Sequence, residues 1–421
     1  MKPLPWGLLP DNSELSESGS LIIGGCDVLD VALEFGTPVF IYDEQHLRQR
    51  CREAVALFGR RATYATKAFL CVAMAKLAHE EGMSLDVATG GELHIALAAG
   101  VPAADLVFHG NNKSMTELER AIEIGVGRIV VDSFDELDRI EALASDSVPD
   151  VLLRVTPGVE AHTHEFIATG HDDSKFGFTV SSGQATKAVE RAGASRAVNL
   201  VGIHAHIGSQ VFRVESFGAS LDVLAEFAGP LDLPELVVGG GLGVPYVEGE
   251  EAPSISQWGK ILKDRAAQAG ITASLGIEPG RSIAAAAAIT AYTIGTIKPL
   301  EGIRTYIAVD GGMSDNPRPV LYGSGYETFL PRNPIAERPL TARLVGKHCE
   351  SGDILVRQAA LPEDIAVDDI VATPVTGAYG HSMGSNYNKV LRPPVVFCSD
   401  GDARLVVRRE TFEDLLITDL G

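Results

Sequence analysis

At 421 residues, 45% of them hydrophobic, the chain can bury more than one core, because single cores stop growing at roughly 250–300 residues. A formal charge of −21, from 35 basic against 56 acidic side chains, opposes sequence-independent binding to nucleic acid or an anionic membrane, and a small-molecule substrate is expected instead. Cys26, Cys51, Cys71, Cys349 and Cys398 are widely spaced and form no CxxC pair, the start Met1-Lys2-Pro3-Leu4-Pro5 has no leader pattern, and the Ala284–Ile289 run is too short to span a bilayer, so the expectation is a soluble, cytoplasmic protein.

Residues 1–37 read as an arm, Ser/Gly-rich and acidic in part, with a short amphipathic run from Val28 to Phe35. From Pro38 onward, short β-branched runs near 62–65, 84–87, 106–109, 128–131, 151–155, 200–206, 235–238 and 274–278 alternate with helical spacing at 70–81, 91–99, 115–124, 134–144, 184–192, 216–228 and 257–269. Eight such units over residues 38–284 predict a (β/α)₈ TIM-like barrel. After about residue 284 the helical spacing stops. Runs at 289–299, 305–309, 340–346, 354–359, 370–374 and 404–409 predict an all-β domain over 285–421, a β-sandwich or barrel-like unit that also takes up the arm.

Polar residues stand at the predicted strand ends: Lys67, Asp86, His109 with Asn111, Asp132, Arg154, His206, the glycines 239–241 and Glu278. A barrel builds its active site there, so these side chains should converge. Lys67, just past Ala62-Thr63-Tyr64-Ala65, is expected at the rim of a dry pocket, where a partly neutral amine could form a Schiff base; alone, a strand-end lysine more often snorkels to water. Gly239-Gly240-Gly241-Leu242-Gly243 could wrap a phosphate, but Val244 stands where a dinucleotide fingerprint needs glycine. A buried Glu278, in Glu278-Pro279-Gly280-Arg281, could keep a pyridine nitrogen protonated.

His204 and His206 share one strand face, a spacing that would also suit a metal; none is expected, because no third ligand with recognisable spacing lies nearby. The connection Thr156–Ser182, with His162, His164 and His171, has the length of a lid. In the β domain, Arg318 within Asp310–Tyr322 could fork a carboxylate, and in Cys349-Glu350 a thiol could donate a proton beside a carboxylate that reads an amine. Gly380-His381-Ser382-Met383-Gly384 matches the GxSxG pattern of serine hydrolases, yet no histidine follows His381, so it reads as a glycine-rich loop.

Together these segments resemble the diaminopimelate decarboxylase family, within the alanine-racemase-like class of pyridoxal-phosphate enzymes. The resemblance rests on Tyr64–Ala68, Asp86–Leu93, His109–Lys113, Ser174–Gly177, His204–Gln210, Gly239–Gly243, Glu278–Arg281, Asp310–Tyr322 and Cys349-Glu350, in the family's order over most of the chain. It implies decarboxylation of meso-2,6-diaminopimelate to L-lysine with pyridoxal 5'-phosphate as cofactor. Lys67 would be the Schiff-base lysine, Glu278 the pyridine-nitrogen partner and His206 the stacked ring, with Asp86 also at the cofactor. Ser209, Gly239, Gly240, Gly241, Pro279, Gly280, Arg281 and Tyr379 would surround the phosphate. Arg281, Arg318, Tyr322 and Tyr379 would bind the substrate's distal end, and Glu350 its amino group. Cys349 would supply the proton that replaces CO₂, and the resemblance implies that it comes from the other subunit of a homodimer. Phe69, Ala205 and Lys347-His348 depart from residues common in the family, the last replacing a frequent proline. Decarboxylases of ornithine, arginine or another carboxylated diamine are the alternatives. The same fold also hosts racemases, which need an acid/base group on each face of the imine, whereas a barrel-only cofactor carrier would need neither the second domain nor Cys349-Glu350.

Overall fold

The computed structural model describes residues 2–143, 147–158 and 172–421; His162, His164 and His171 of the expected lid lie outside them. The chain divides into two compact units, one of residues 50–243 and 252–282, the other of 1–49, 244–251 and 283–421.

The first unit is the expected barrel. Its strands are β1 (Thr63–Ala65), β2 (Ser84–Val87), β3 (Leu106–Phe108), β4 (Arg128–Val131), β5 (Asp150–Thr156), β6 (Asn199–Ala205), β7 (Glu235–Val237) and β8 (Ser274–Gly276). Each pairs in parallel with its sequence neighbour. The ring closes where Ala62 bridges Ile277 in parallel, with the Thr63 N–H donating to the Ile277 carbonyl at 2.9 Å and the Ala65 N–H to that of Pro279 at 3.1 Å. Val130, Leu152, Val201 and Val237, with Val107 against them, form a packed cluster drawn from five successive strands. Such a filled interior leaves the strand ends as the place for chemistry.

The intervening helices start where local chemistry dictates. Ser114 and Glu117 form a reciprocal capping box at helix Met115–Ile124, and Thr89 and Ser133 accept from N–H groups in the first turns of Gly90–Ala98 and Phe134–Ala142. These bonds satisfy donors that a helix start otherwise leaves unpaired.

In the second unit an eight-stranded sheet runs in the order Ile354–Leu361, Leu340–Val345, Arg304–Val309, Ala288–Leu300, Val39–Asp43, Val395–Ser399 and Asp402–Val407, with Ile370–Pro374 also paired to Ala288–Leu300. Val39–Asp43, expected inside the barrel segment, is instead a central strand of this sheet. All five of its residues are buried, and it pairs with residues 288–291 on one side and 395–398 on the other. An apolar run buried on both faces suits either sheet, and pairing with distant segments decides between them. The amphipathic run Val28–Phe35 forms a helix capped by the Asp27 side chain. Among the described residues no helix is long and apolar enough to cross a membrane.

Candidate active site

At the C-terminal ends of the barrel strands, β1 runs into a single 3₁₀ turn, Thr66–Ala68, that carries Lys67. Asp86 at the end of β2 holds this turn. Its Oδ1 accepts from the Thr66 N–H at 3.1 Å, and the Thr66 hydroxyl donates to the Asp86 carbonyl at 2.7 Å. The Tyr64 hydroxyl donates to the Phe69 carbonyl at 2.8 Å and pins the far side. Lys67 itself is exposed in the single chain, and the turn that carries it is fixed by its buried neighbours. Burial pushes the Asp86 carboxyl well above its ordinary value, against the pull of the Lys67 charge.

Glu278 follows β8 and is buried between two imidazoles. His204 Nε2 donates to Oε2 at 2.9 Å, and His109 Nε2 lies 3.0 Å from Oε1. Burial alone would raise this carboxyl, but the two rings outweigh it and hold Glu278 well below the usual carboxylate range. His204, almost wholly buried, is pushed down to about 4, so it meets Glu278 as a neutral ring with its proton on Nε2. His109 was visible as a strand-end residue, but its partnership with Glu278 was not. It supplies the third group the sequence lacked: His109, His204 and Glu278 bring one ligand-type atom each within 4.8 Å of one another.

A depressed histidine makes folding pH-dependent. Between the unfolded value near 6.5 and about 4, the unfolded state binds the extra proton, so stability is lost as pH falls through that window. The unfolding free energy of the parent, from denaturant titrations, should fall further than that of His204→Gln, by roughly 3 kcal/mol over the window. Parallel curves would show that His204 is not the titrating group.

His206 occupies the next position on the same face as His204 and is half-buried, its Nδ1 accepting from the Gly240 N–H at 3.2 Å. Burial, then the charges of Lys67 and Arg154, push it well below its ordinary value. The glycines after β7 bring three strand ends together. A Cβ on Gly239 would lie 2.5 Å from the Ala205 carbonyl oxygen, one on Gly240 2.0 Å from that of Glu278, and one on Gly241 2.0 Å from that of Gly208. Gly239 and Gly241 also have φ of +74° and +106°, which glycine adopts without strain. Gly280 packs as tightly, its missing Cβ only 2.8 Å from that of Ala65. Beside this side-chain-free cradle, Arg281 is buried and donates from Nη2 to the Ser209 hydroxyl at 2.9 Å.

On the strands opposite, Arg154 lies 4.2 Å from the centre of the Phe176 ring, and Asp132 Oδ1 accepts from the Gly177 N–H at 2.6 Å. Lys113 is buried with Nζ donating to Glu136 at 2.6 Å, and to the carbonyls of Gly110 at 2.8 Å and Val130 at 2.7 Å. Charge satisfied in this way supports the ends of β3 and β4.

The remaining predicted residues belong to the β unit. Arg318 is buried, its guanidinium carbon 4.0 Å from the centre of the Tyr246 ring, and Nη1 donates to the Tyr326 hydroxyl at 2.5 Å. Tyr246 and Tyr326 carried no sequence signal beyond their proximity to glycine-rich turns. Tyr379, half-buried with φ of +61°, is in electrostatic reach of Arg318, and Tyr322 is half-buried in the short helix Arg318–Tyr322. Cys349 and Glu350 are exposed, the Cys349 N–H donating to Asn388 Oδ1 at 2.8 Å.

Comparison with known proteins follows the same lines. Residues 44–285 match the family described as pyridoxal-dependent decarboxylase, pyridoxal binding domain. Diaminopimelate decarboxylase of Mycobacterium tuberculosis is 48% identical over 97% of this chain and 96% of its own length. Two solved diaminopimelate decarboxylases in complex with L-lysine share the fold at 30% identity. That of M. jannaschii has a TM-score of 0.89 with 98% of both chains covered, and that of Helicobacter pylori 0.86 with 93% of this chain and 98% of its own.

Proposed function

Because the chain belongs to the diaminopimelate decarboxylase family of pyridoxal-dependent decarboxylases, we propose that it converts meso-2,6-diaminopimelate to L-lysine and CO₂, the closing step of lysine formation. The observation that best supports this is Glu278, a buried carboxylate kept ionised by His109 and His204 at the strand ends of the barrel that also carries Lys67. The residues fit pyridoxal phosphate. Its phosphate needs a cradle without side chains, which Gly239–Gly241 provide, and Ser209, Pro279, Gly280, Arg281 and Tyr379 would complete its surroundings. Lys67 would hold the group covalently, His206 would lie against its ring, and Asp86 would keep the Lys67 turn in place.

When bound, the cofactor supplies a sink for the electron pair left behind by CO₂. Glu278, an ionised acceptor, holds a proton on the ring nitrogen. Arg281, Arg318, Tyr322 and Tyr379 orient the distal carboxylate, and Glu350 reads the distal amine. Cys349 gives the Sγ proton to the carbon that lost CO₂, so one carboxyl leaves and one C–H bond forms. Cys349 and Glu350 would act from the second subunit of a cytoplasmic homodimer, a reading that suits their exposure in the single chain and a set of cysteines joined by no disulfide.

The test is CO₂ and amine production from meso-diaminopimelate, L-lysine, L-ornithine, L-arginine and both alanine enantiomers, with and without pyridoxal phosphate. Cofactor-dependent CO₂ and lysine from meso-diaminopimelate alone is the expected result. CO₂ from ornithine or arginine moves the substrate, and alanine racemisation without CO₂ overturns the reaction. Mixed Lys67→Ala and Cys349→Ala subunits, each inactive alone, should recover part of the parent activity; no recovery despite proven exchange rejects the shared site.

A further inference from the structure

Cys349 and Glu350 sit in a connection between Leu340–Val345 and Ile354–Leu361 whose tip, Cys349 to Gly352, is exposed. A loop tip like this is ordinarily mobile. Three sets of contacts counter that. First, Asp353 is buried beneath the loop. Its Oδ2 accepts from the His348 N–H at 2.9 Å and from His348 Nδ1 at 2.8 Å, while Oδ1 accepts from the Met313 N–H at 2.6 Å. No space is left around this carboxylate: a Cβ on Gly346 would lie 2.2 Å from Oδ2, and one on Gly312 2.6 Å from it.

Second, the His348 ring, fully buried, stacks on Tyr387 at 5.7 Å with planes 11° apart. Third, the next residue along from Tyr387, Asn388, accepts from the Cys349 N–H at 2.8 Å. Asn388 has φ of +51° and ψ of +21°, a left-handed conformation that asparagine tolerates better than most residues and that turns its side-chain amide toward this N–H. Tyr387 and Asn388 therefore grip consecutive residues of the loop, the first through the ring of His348 and the second through the backbone of Cys349.

We propose that Asn388 is a positioning residue for proton delivery: its amide, backed by the His348–Asp353 clamp, holds the Cys349 backbone so that the thiol meets the carbon that has lost CO₂. This rests on Cys349 being the proton donor. A misplacement of about 1 Å can cost about a hundredfold in rate, so a tether on an exposed loop carries functional weight out of proportion to one hydrogen bond. The tether acts after CO₂ has left, and its loss should show in the fate of that carbon more than in substrate affinity.

The decisive variant is Asn388→Gly, which removes the acceptor while glycine keeps the left-handed backbone without strain. In the holoenzyme, kcat should fall about tenfold with KM for meso-diaminopimelate changed less than about twofold, equivalent to about 1.4 kcal/mol in the barrier. CO₂ should exceed lysine, because product protonated on the cofactor's carbon in place of its own would be released by water as an aldehyde, its amino group staying on the cofactor. Amide exchange in the peptide covering 347–353 should accelerate. Asn388→Asp, which retains the acceptor, should restore kcat to within about threefold of the parent. Unchanged exchange together with equal CO₂ and lysine in Asn388→Gly would overturn the proposal, as would a loss confined to KM. Should the parent release no CO₂ from meso-diaminopimelate, the reaction assignment fails and the catalytic half of this proposal falls with it; the exchange measurement would then speak only for the tether.

Discussion

Lys67→Ala is expected to abolish decarboxylation, by about a thousandfold or more, and to leave no borohydride-stable cofactor label on the protein. The local structure makes this variant informative. Thr66 is tied to Asp86 by two hydrogen bonds and Tyr64 to Phe69 by one, and none of them involves the lysine side chain. Lys67 is also exposed, and substitutions at exposed positions usually change stability by no more than about 0.5 kcal/mol. Loss of activity would therefore come with an unchanged melting midpoint of the cofactor-free protein. A reducible label persisting on the alanine variant would reject Lys67 as the anchor. Removing Lys67 also removes the cation that lowers the Asp86 carboxyl, leaving burial less opposed there.

Glu278→Gln should cost kcat about a hundredfold or more, with a smaller change in KM, and should also destabilise the fold by about 1–3 kcal/mol. The amide has nearly the shape of the carboxylate but offers an N–H₂ where Glu278 has only acceptors. If the amide end faces His204, it meets the Nε2 of that ring donor to donor. His204 escapes only by moving its proton to Nδ1, and Nδ1 is buried with no hydrogen-bond partner. With the amide toward His204 both routes leave a buried donor unsatisfied; with the amide toward His109 the cost falls to a change of tautomer on that ring. Steady-state kinetics with denaturant unfolding separates the effects, and a kcat within twofold of the parent would remove Glu278 from the chemistry.

The barrel was legible because its signals are local. Helix Met115–Ile124 begins at Ser114 with Glu117 three residues on, and β4 is a bare apolar run; each can be read from ten residues. The alignment of polar residues with strand ends then followed from the fold itself. What escaped depends on partners distant in sequence. Val39–Asp43 looks like any buried strand until residues 288–291 and 395–398 pair with it, and Val395–Ser399 was missed altogether. The grip of His109 on Glu278 joins the residue after β3 to the second residue after β8, and the bond from Cys349 to Asn388 spans 39 residues. Alternation along a strand says which face a side chain leaves from, not how far the surrounding loops reach, so the exposure of Lys67 could not be read from its segment.

The central place of Val39–Asp43 has a consequence during synthesis. This strand emerges from the ribosome early, yet the segments that flank it, 288–291 and 395–398, come about 245 and 350 residues later. At about 5–20 residues per second the nascent strand waits roughly 12–50 s for its first partner and longer for its second. Residues 50–243 and 252–282 are all translated within the first of those intervals. An apolar segment held unpaired for so long is an opening for chaperone binding or for pairing with a neighbouring nascent chain. Slowing translation between residues 43 and 288 should therefore lower the soluble yield, while slowing it after residue 398 should not.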